Sequence, residues 1–133
     1  MTLNISSKQL VQEASAKIKT LSLEEAKLLL GKPDVQFVDI RDVRELQQEG
    51  TIPGAFHAPR GMLEFWVDPD SPYFKPVFGE AKQFVFFCRS ASRSALASAA
   101  LQDMGLKNVA HIAGGYSAWK ESGGDIATPE KSL

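Results

Sequence analysis

The chain has 133 residues, of which 44% are hydrophobic and 23% are charged, and its formal net charge at pH 7 is −1. This length suits one domain that buries roughly two-thirds of the surface of its unfolded chain. One cysteine excludes an internal disulfide, and with only two histidines it leaves too few ligands for a structural zinc site. The near-neutral, interspersed charge argues against a nucleic-acid partner or an anionic membrane surface.

Residues 1–20 lack the apolar core and cleavage site of a secretory signal, and no segment is apolar enough to span a membrane, so we expect a cytoplasmic protein.

The start of the chain predicts a helix. Leu10, Val11, Ala14 and Ile18 recur at helical spacing. We interpret residues 1–20 as an amphipathic helical extension, residues 21–127 as the main domain and residues 128–133 as a polar tail.

Strands and helices are predicted to alternate along the main domain. Capping boxes start two short helices, one at Ser22 with Glu25 and one at Asp42 with Glu45. The other predicted helices cover 62–66, 92–104 and 114–123. Short β-branched and aromatic runs predict buried strands at 35–40, 84–87 and 108–112. This alternation predicts an α/β fold, with a mostly parallel central sheet and helices on both faces.

The only cysteine, Cys88, follows a predicted strand directly and precedes a polar loop and a helix. Ligands of parallel sheets bind at the carboxyl ends of the strands. The N–H groups of such a loop and of the helix that follows can converge on one negative charge. We therefore predict that Cys88 is a thiolate nucleophile. The alternative, from the residues alone, is an inert buried cysteine beside a serine-rich helix cap.

The loop after Cys88 is the candidate substrate site. Arg93, at the start of the helix, is predicted to clamp an anionic substrate, because a guanidinium stays charged and offers a fork of donors to an oxyanion. The remaining loop residues predicted to bind substrate are Arg89, Ser90, Ala91, Ser92 and Ser94.

Four short motifs lie in register along the chain: DIR at 39–41, GTIPGA at 50–55, CRSASRS at 88–94 and GGYSAW at 114–119. In this order and spacing, from about residue 21 to residue 123, the chain resembles a single-domain rhodanese. The resemblance implies a sulfurtransferase in which Cys88 takes a sulfur atom from thiosulfate or a similar small anionic donor. The persulfide then passes that sulfur to an external thiol or to cyanide. No metal or organic cofactor is implied.

Several single residues carry further expectations. Asp39 and Arg41 are expected to form a structural pair near the site, and Arg41 is also a candidate for substrate contact. Ala91 stands where many rhodaneses have glycine, so a positive φ at this position would strain the backbone. His57 and His111 are given no role in the chemistry.

Three other functions stay open at this point. The first is a non-enzymatic rhodanese-like binding or sensing module. The second is an arsenate reductase or phosphatase, although loops of that kind have five residues between cysteine and arginine, and only four separate Cys88 from Arg93. The third is a peroxide-responsive thiol, which the lack of a second cysteine disfavours. We expect a monomer or a weak homodimer.

Overall fold

Five short strands form one sheet at the centre of the computed structural model, which describes residues 1–129. The strands are β1 (Lys19–Leu21), β2 (Val35–Asp39), β3 (Phe56–His57), β4 (Gln83–Phe87) and β5 (Val109–Ile112). Their order is β1-β5-β4-β2-β3, and every neighbouring pair is parallel. The predicted α/β fold with a mostly parallel sheet is therefore confirmed. β1 and β3 were not predicted, because two or three residues are too few for a periodic pattern.

Residues 1–129 contain six α-helices, of which four lie between strands, while one precedes β1 and one follows β5. They are α1 (Ser7–Lys17), α2 (Leu23–Leu29), α3 (Val43–Glu49), α4 (Leu63–Trp66), α5 (Ser92–Asp103) and α6 (Gly115–Glu121). Both predicted capping boxes are present, at the starts of α2 and α3. Two 3-10 turns, at 60–62 and 76–79, lie in the long connection between β3 and β4. None of these helices is long and apolar enough to cross a membrane.

Helices cover both faces of the sheet. On β4, Phe84 and Phe86 belong to a core cluster shared with α5, whereas Val85 and Phe87 belong to a second cluster shared with α6. Successive side chains of a strand point to opposite faces, so this alternation fixes which helix lies on which side. α5 and α6 both begin next to the carboxyl end of β4, where Cys88 lies.

The predicted N-terminal helix packs on the domain. Ala14 and Ile18 of this region form a small buried cluster with Ala95 and Ala99 of α5. Immediately after it, β1 pairs with β5 and extends the sheet by one strand. The predicted boundary between residues 20 and 21 therefore falls inside a strand of the sheet. Of the predicted tail, residues 130–133 lie outside the described part of the chain.

Candidate active site

Cys88 lies immediately after β4, at the carboxyl end of the parallel sheet. The chain turns through residues 89–91 and enters α5 at Ser92. The N–H of Ser94, in the first turn of α5, donates to Cys88 Sγ at 3.3 Å. The first N–H groups of a helix have no partner within the helix, and the helix dipole is positive at this end. The turn thus directs one backbone donor and partial positive charge at the sulfur.

Ala91 makes this short turn in a strained conformation. Its φ of +81° and ψ of −4° lie in the left-handed region, and it is the residue that precedes α5. An L-residue with a Cβ is disfavoured there by about 1–2 kcal/mol. The condition stated for this position, a positive φ on a residue with a Cβ, is met, so the loop keeps the conformation suited to glycine although its residue is alanine.

The start of α6 fixes the backbone of the loop. Tyr116 N–H donates to Cys88 O at 2.7 Å, and Ser117 N–H donates to Arg89 O at 3.0 Å. Gly115 makes this approach possible, because a Cβ at its position would lie 2.6 Å from Arg89 O, and its φ is +64°. The GGYSAW motif therefore acts on the site through the backbone of Cys88 and Arg89.

Both arginines of the loop are paired with glutamates of α3. Arg93 makes a two-point contact with Glu45, with N–O distances of 2.8 and 2.9 Å. Arg89 contacts Glu49 at 2.6 Å. The hydrogen bond from Arg93 lowers the pKa of Glu45, and the same bond raises the pKa of Arg93. A carboxylate thus occupies two of the guanidinium N–H donors of Arg93.

The expected pair of Asp39 and Arg41 is present and buried. Arg41 contacts both carboxylate oxygens of Asp39, at 3.0 and 2.8 Å, and donates to Gly50 O at 2.7 Å. Its guanidinium lies 4.2 Å from the centre of the Tyr116 ring, and Thr51 donates to Asp39 at 2.7 Å. The side chain of Arg41 has no exposed surface. Substrate contact by Arg41 stays a prediction and would require this network to open.

The exposure of the loop is uneven. Cys88 is 1% exposed, whereas Arg89, Ser90 and Ser92 of the same loop are exposed. At this exposure, a donor can contact Cys88 only after neighbouring groups move. Burial of Cys88 agrees with one part of the alternative given above, a buried cysteine, whereas the Ser94 N–H at 3.3 Å from Sγ agrees with a stabilised thiolate.

The extension contributes one side of the region next to Arg93. A cavity of about 450 Å³ lies between α1 and α5, and Val11 of α1 faces Ser92, Arg93 and Leu96 of α5 across it. Within residues 1–129, no group of three or more histidine, cysteine, aspartate or glutamate residues could hold a metal ion.

Sequence reasoning also missed three residues that contact the predicted site. Glu45 and Glu49 contact the loop arginines, and the only signal for them is their i, i+4 spacing on the helix after the DIR motif. His111, which was given no role, lies with Nδ1 2.9 Å from Ser94 Oγ. His57 lies apart from this contact, with Nε2 2.7 Å from Arg41 O.

Comparison with known proteins agrees with this architecture. Residues 22–122 match the model of the Rhodanese-like domain family, and this span contains all four motifs. Thiosulfate:glutathione sulfurtransferase of Homo sapiens is 31% identical over 108 residues, which cover 77% of this chain and 93% of that protein. The rhodanese domain-containing protein CG4456 of Drosophila melanogaster is 31% identical over 106 residues, covering 76% of this chain and 96% of that protein.

A solved structure is similar over nearly the whole chain. It is RPA3614 of Rhodopseudomonas palustris CGA009, described as a protein of unknown function and possible tyrosine phosphatase. The TM-score is 0.92 at 52% identity, and the match covers 96% of this chain and 98% of that chain. The family match, the curated relatives and the parallel sheet with its cysteine loop agree: the chain belongs to the rhodanese-like domain family.

Proposed function

We propose that the protein is a sulfurtransferase of the thiosulfate sulfurtransferase type that works through a persulfide on Cys88. The observation that carries this proposal is the hydrogen bond of 3.3 Å from Ser94 N–H to Cys88 Sγ at the start of α5. A donor so placed stabilises a negatively charged sulfur. The name of the human relative, thiosulfate:glutathione sulfurtransferase, supports the same class of donor and acceptor.

The proposed reaction has two displacements at sulfur. The Cys88 thiolate attacks the outer sulfur of thiosulfate, the sulfur–sulfur bond of the donor breaks, and its electron pair leaves with sulfite. A thiolate or cyanide then attacks the outer sulfur of the Cys88 persulfide, and the Cys88 thiolate leaves. Both the thiolate and the persulfide carry negative charge next to the start of α5, so the same donors serve both steps.

Arg93 is the proposed clamp for the sulfonate group of the donor, and Arg89 assists it at the exposed rim of the loop. Their present partners, Glu45 and Glu49, are carboxylates that an oxyanion can replace. Ser90, Ala91, Ser92 and Ser94 are proposed to line the bound donor with their N–H and hydroxyl groups. The reaction as proposed uses no metal and no organic cofactor.

Mass spectrometry tests the persulfide directly. The chain has one cysteine, so a mass gain of one sulfur atom after exposure to thiosulfate can be assigned to Cys88. We expect this gain in the wild-type protein, its loss on addition of cyanide or glutathione, and none in Cys88→Ser. A wild-type protein that never gains sulfur from thiosulfate or from glutathione persulfide would contradict the proposal, as would transfer to cyanide by Cys88→Ser.

Phosphatase activity is the second candidate, because the structural neighbour RPA3614 is described as a possible tyrosine phosphatase. The loop argues against it, since four residues separate Cys88 from Arg93 and a tetrahedral phosphate requires the wider cradle of a longer loop. We expect no Cys88-dependent hydrolysis of para-nitrophenyl phosphate. Hydrolysis that Cys88→Ser abolishes would favour the phosphatase.

The cytoplasmic location and the monomer or weak homodimer stay predictions.

A further inference from the structure

Four residues form a chain of hydrogen bonds from the reactive sulfur to the edge of the sheet. Cys88 Sγ lies 3.6 Å from Ser94 Oγ, Ser94 Oγ lies 2.9 Å from His111 Nδ1, and His111 Nε2 lies 3.0 Å from Thr20 Oγ1. Cys88, Ser94 and His111 are buried, whereas Thr20, on the edge strand β1, is exposed. A buried sulfur is thus connected to the surface through an imidazole that the proposed reaction does not otherwise use.

The strands beside His111 bring no charge close to its ring. His111 lies on β5 in register with Thr20 of β1 and with Phe86 of β4. Lys19, next to Thr20, points to the opposite face of the sheet. α6 packs against that opposite face, so its titratable residues, Tyr116, Lys120 and Glu121, are separated from His111 by the sheet.

α5 contacts the same face as His111. It brings Ser94 to the ring, and the neighbouring Arg93 is held by Glu45. Burial lowers the pKa of His111, so its imidazole is neutral at pH 7 and one ring nitrogen can accept a proton. Cys88 is therefore the ionisable group that the hydrogen-bonded chain connects to His111.

We propose that His111 is a positioning residue that, through Ser94, carries the proton of the Cys88 thiol to Thr20 and water, and that its change of tautomer turns the Ser94 hydroxyl toward the thiolate. The inference deepens the proposed function, because a thiolate is the form of Cys88 that attacks a sulfur donor.

Ionisation of Cys88 moves protons along the hydrogen-bonded chain through Ser94 and His111. Before ionisation, the Cys88 S–H donates to Ser94 Oγ, the Ser94 O–H donates to His111 Nδ1, and the His111 Nε2–H donates to Thr20 Oγ1. The thiol proton moves to Ser94 Oγ while the Ser94 proton moves to Nδ1, and the Nε2 proton leaves past Thr20 to water. One proton enters water, and one negative charge stays on the sulfur.

The new tautomer reverses the direction of donation. His111 Nδ1–H now donates to Ser94 Oγ, which frees the single Ser94 hydroxyl proton from His111. That proton can then point at the thiolate instead of at Ala91 O, which lies 3.2 Å from Ser94 Oγ. The thiolate gains the Ser94 hydroxyl as a second donor beside the Ser94 N–H.

The pH dependence of alkylation tests the role of His111. Iodoacetamide reacts with thiolates, and the chain has one cysteine, so the rate reports Cys88 alone. His111→Gln keeps a side chain that can form hydrogen bonds but cannot change tautomer. We expect the midpoint of its rate profile to rise by about one pH unit, which lowers the rate at pH 7 about tenfold. The control is His57→Gln, because His57 contacts Arg41 O and not Ser94; it should keep the wild-type profile.

The tautomer itself can be observed in the wild-type protein, which covers the case in which His111→Gln does not fold. The chain has two histidines, so ¹H–¹⁵N correlations of the ring nitrogens can be assigned with His57→Gln. We expect the His111 proton to move from Nε2 to Nδ1 over the pH range in which Cys88 ionises, with no such change in Cys88→Ser.

Either of two results would overturn the proposal: a folded His111→Gln with the wild-type alkylation profile, or a His111 that keeps its Nε2 proton while Cys88 ionises. Neither measurement uses a sulfur donor. A failure of sulfur transfer and a failure of the proton path would therefore be seen separately.

Discussion

Ala91 holds the tightest point of the cysteine loop at a cost in stability. Its left-handed φ of +81° suits glycine, which has no Cβ to clash. We expect Ala91→Gly to raise the free energy of unfolding by about 1 kcal/mol, measured by urea denaturation. The control is Ala100→Gly in the interior of α5, where the same change should lower stability by about 1 kcal/mol. A destabilised Ala91→Gly would show that the strain is relieved in another way.

We expect Glu45 to compete with an anionic sulfur donor for the guanidinium of Arg93. Its removal takes away a negative charge and a partner of Arg93 at N–O distances of 2.8 and 2.9 Å. We expect Glu45→Gln to lower KM for thiosulfate roughly threefold to tenfold, on the order of 1 kcal/mol for a charge-assisted contact. The KM for thiosulfate is measured from steady-state rates with cyanide as the acceptor.

Glu25→Gln is the matched control for Glu45→Gln. Both glutamates occupy the same position of a capping box, Glu25 in α2 and Glu45 in α3, but only Glu45 contacts a loop arginine. Glu25→Gln should leave KM unchanged. A KM that rises in Glu45→Gln would mean that the carboxylate orients Arg93 for the donor instead of competing with it.

Apart from Asp39 and Arg41 of the DIR motif, the residues that the sequence predicted in the site are contiguous with Cys88. The loop from Cys88 to Ser94 could be predicted from its position between a strand and a helix, whereas the positive φ at Ala91 was known only from the structure. The sequence could not predict the contacts made by Glu45, Glu49 and His111. Their partners lie 48, 40 and 17 residues away along the chain. A contact of this kind depends on strand order, and no local pattern specifies it.

At the scale of elements, the beginning of α6 determines the geometry of the loop. We expect Gly115→Ala to lower the free energy of unfolding by about 2 kcal/mol or more, because its Cβ would lie 2.6 Å from Arg89 O and its φ is positive. Chemical denaturation and the rate of persulfide formation both measure the effect.

Gly123→Ala is the control for Gly115→Ala, because it separates the strain of a positive φ from the steric clash with Arg89 O. Gly123 has a φ of +81°, but nothing lies within 4 Å of an added Cβ. It should cost about 1 kcal/mol and leave persulfide formation unchanged. Equal effects of the two substitutions would mean that the close approach to Arg89 contributes nothing to the site.

The elements that the sequence predicted well carry their own start and stop signals. α2 and α3 begin at capping boxes, and the apolar run of β4 ends directly at Cys88. β1 and β3 have no such signals and become strands by pairing with β5 and β2. For that reason the predicted extension took in residues 19 and 20, which belong to the sheet.

At the scale of the whole molecule, two groups make the fold sensitive to acid. Burial lowers the pKa of His111, and the Arg93 contact lowers the pKa of Glu45. In both cases the unfolded chain binds the proton more readily, so the stabilisation is present above the unfolded pKa and is lost as the pH falls. We expect stability to decline first below about pH 6.5, from His111, and again below about pH 4.5, from Glu45.

Urea denaturation between pH 7.5 and pH 4 measures this acid sensitivity. His111→Gln should remove the part of the decline between pH 6.5 and pH 5, and Glu45→Gln should reduce the part below pH 4.5. A wild-type stability that is flat from pH 7.5 to pH 5 would contradict the assignment of the first decline to His111.

The burial of Cys88 also has a consequence for the interval between the two proposed half-reactions. Cys88 is 1% exposed, so it is shielded from water and oxidants in this conformation. The outer sulfur of a Cys88 persulfide would be shielded in the same way until an acceptor reaches it. The persulfide form of the protein should therefore survive gel filtration without its donor. It should lose its outer sulfur within one turnover once a thiol is added.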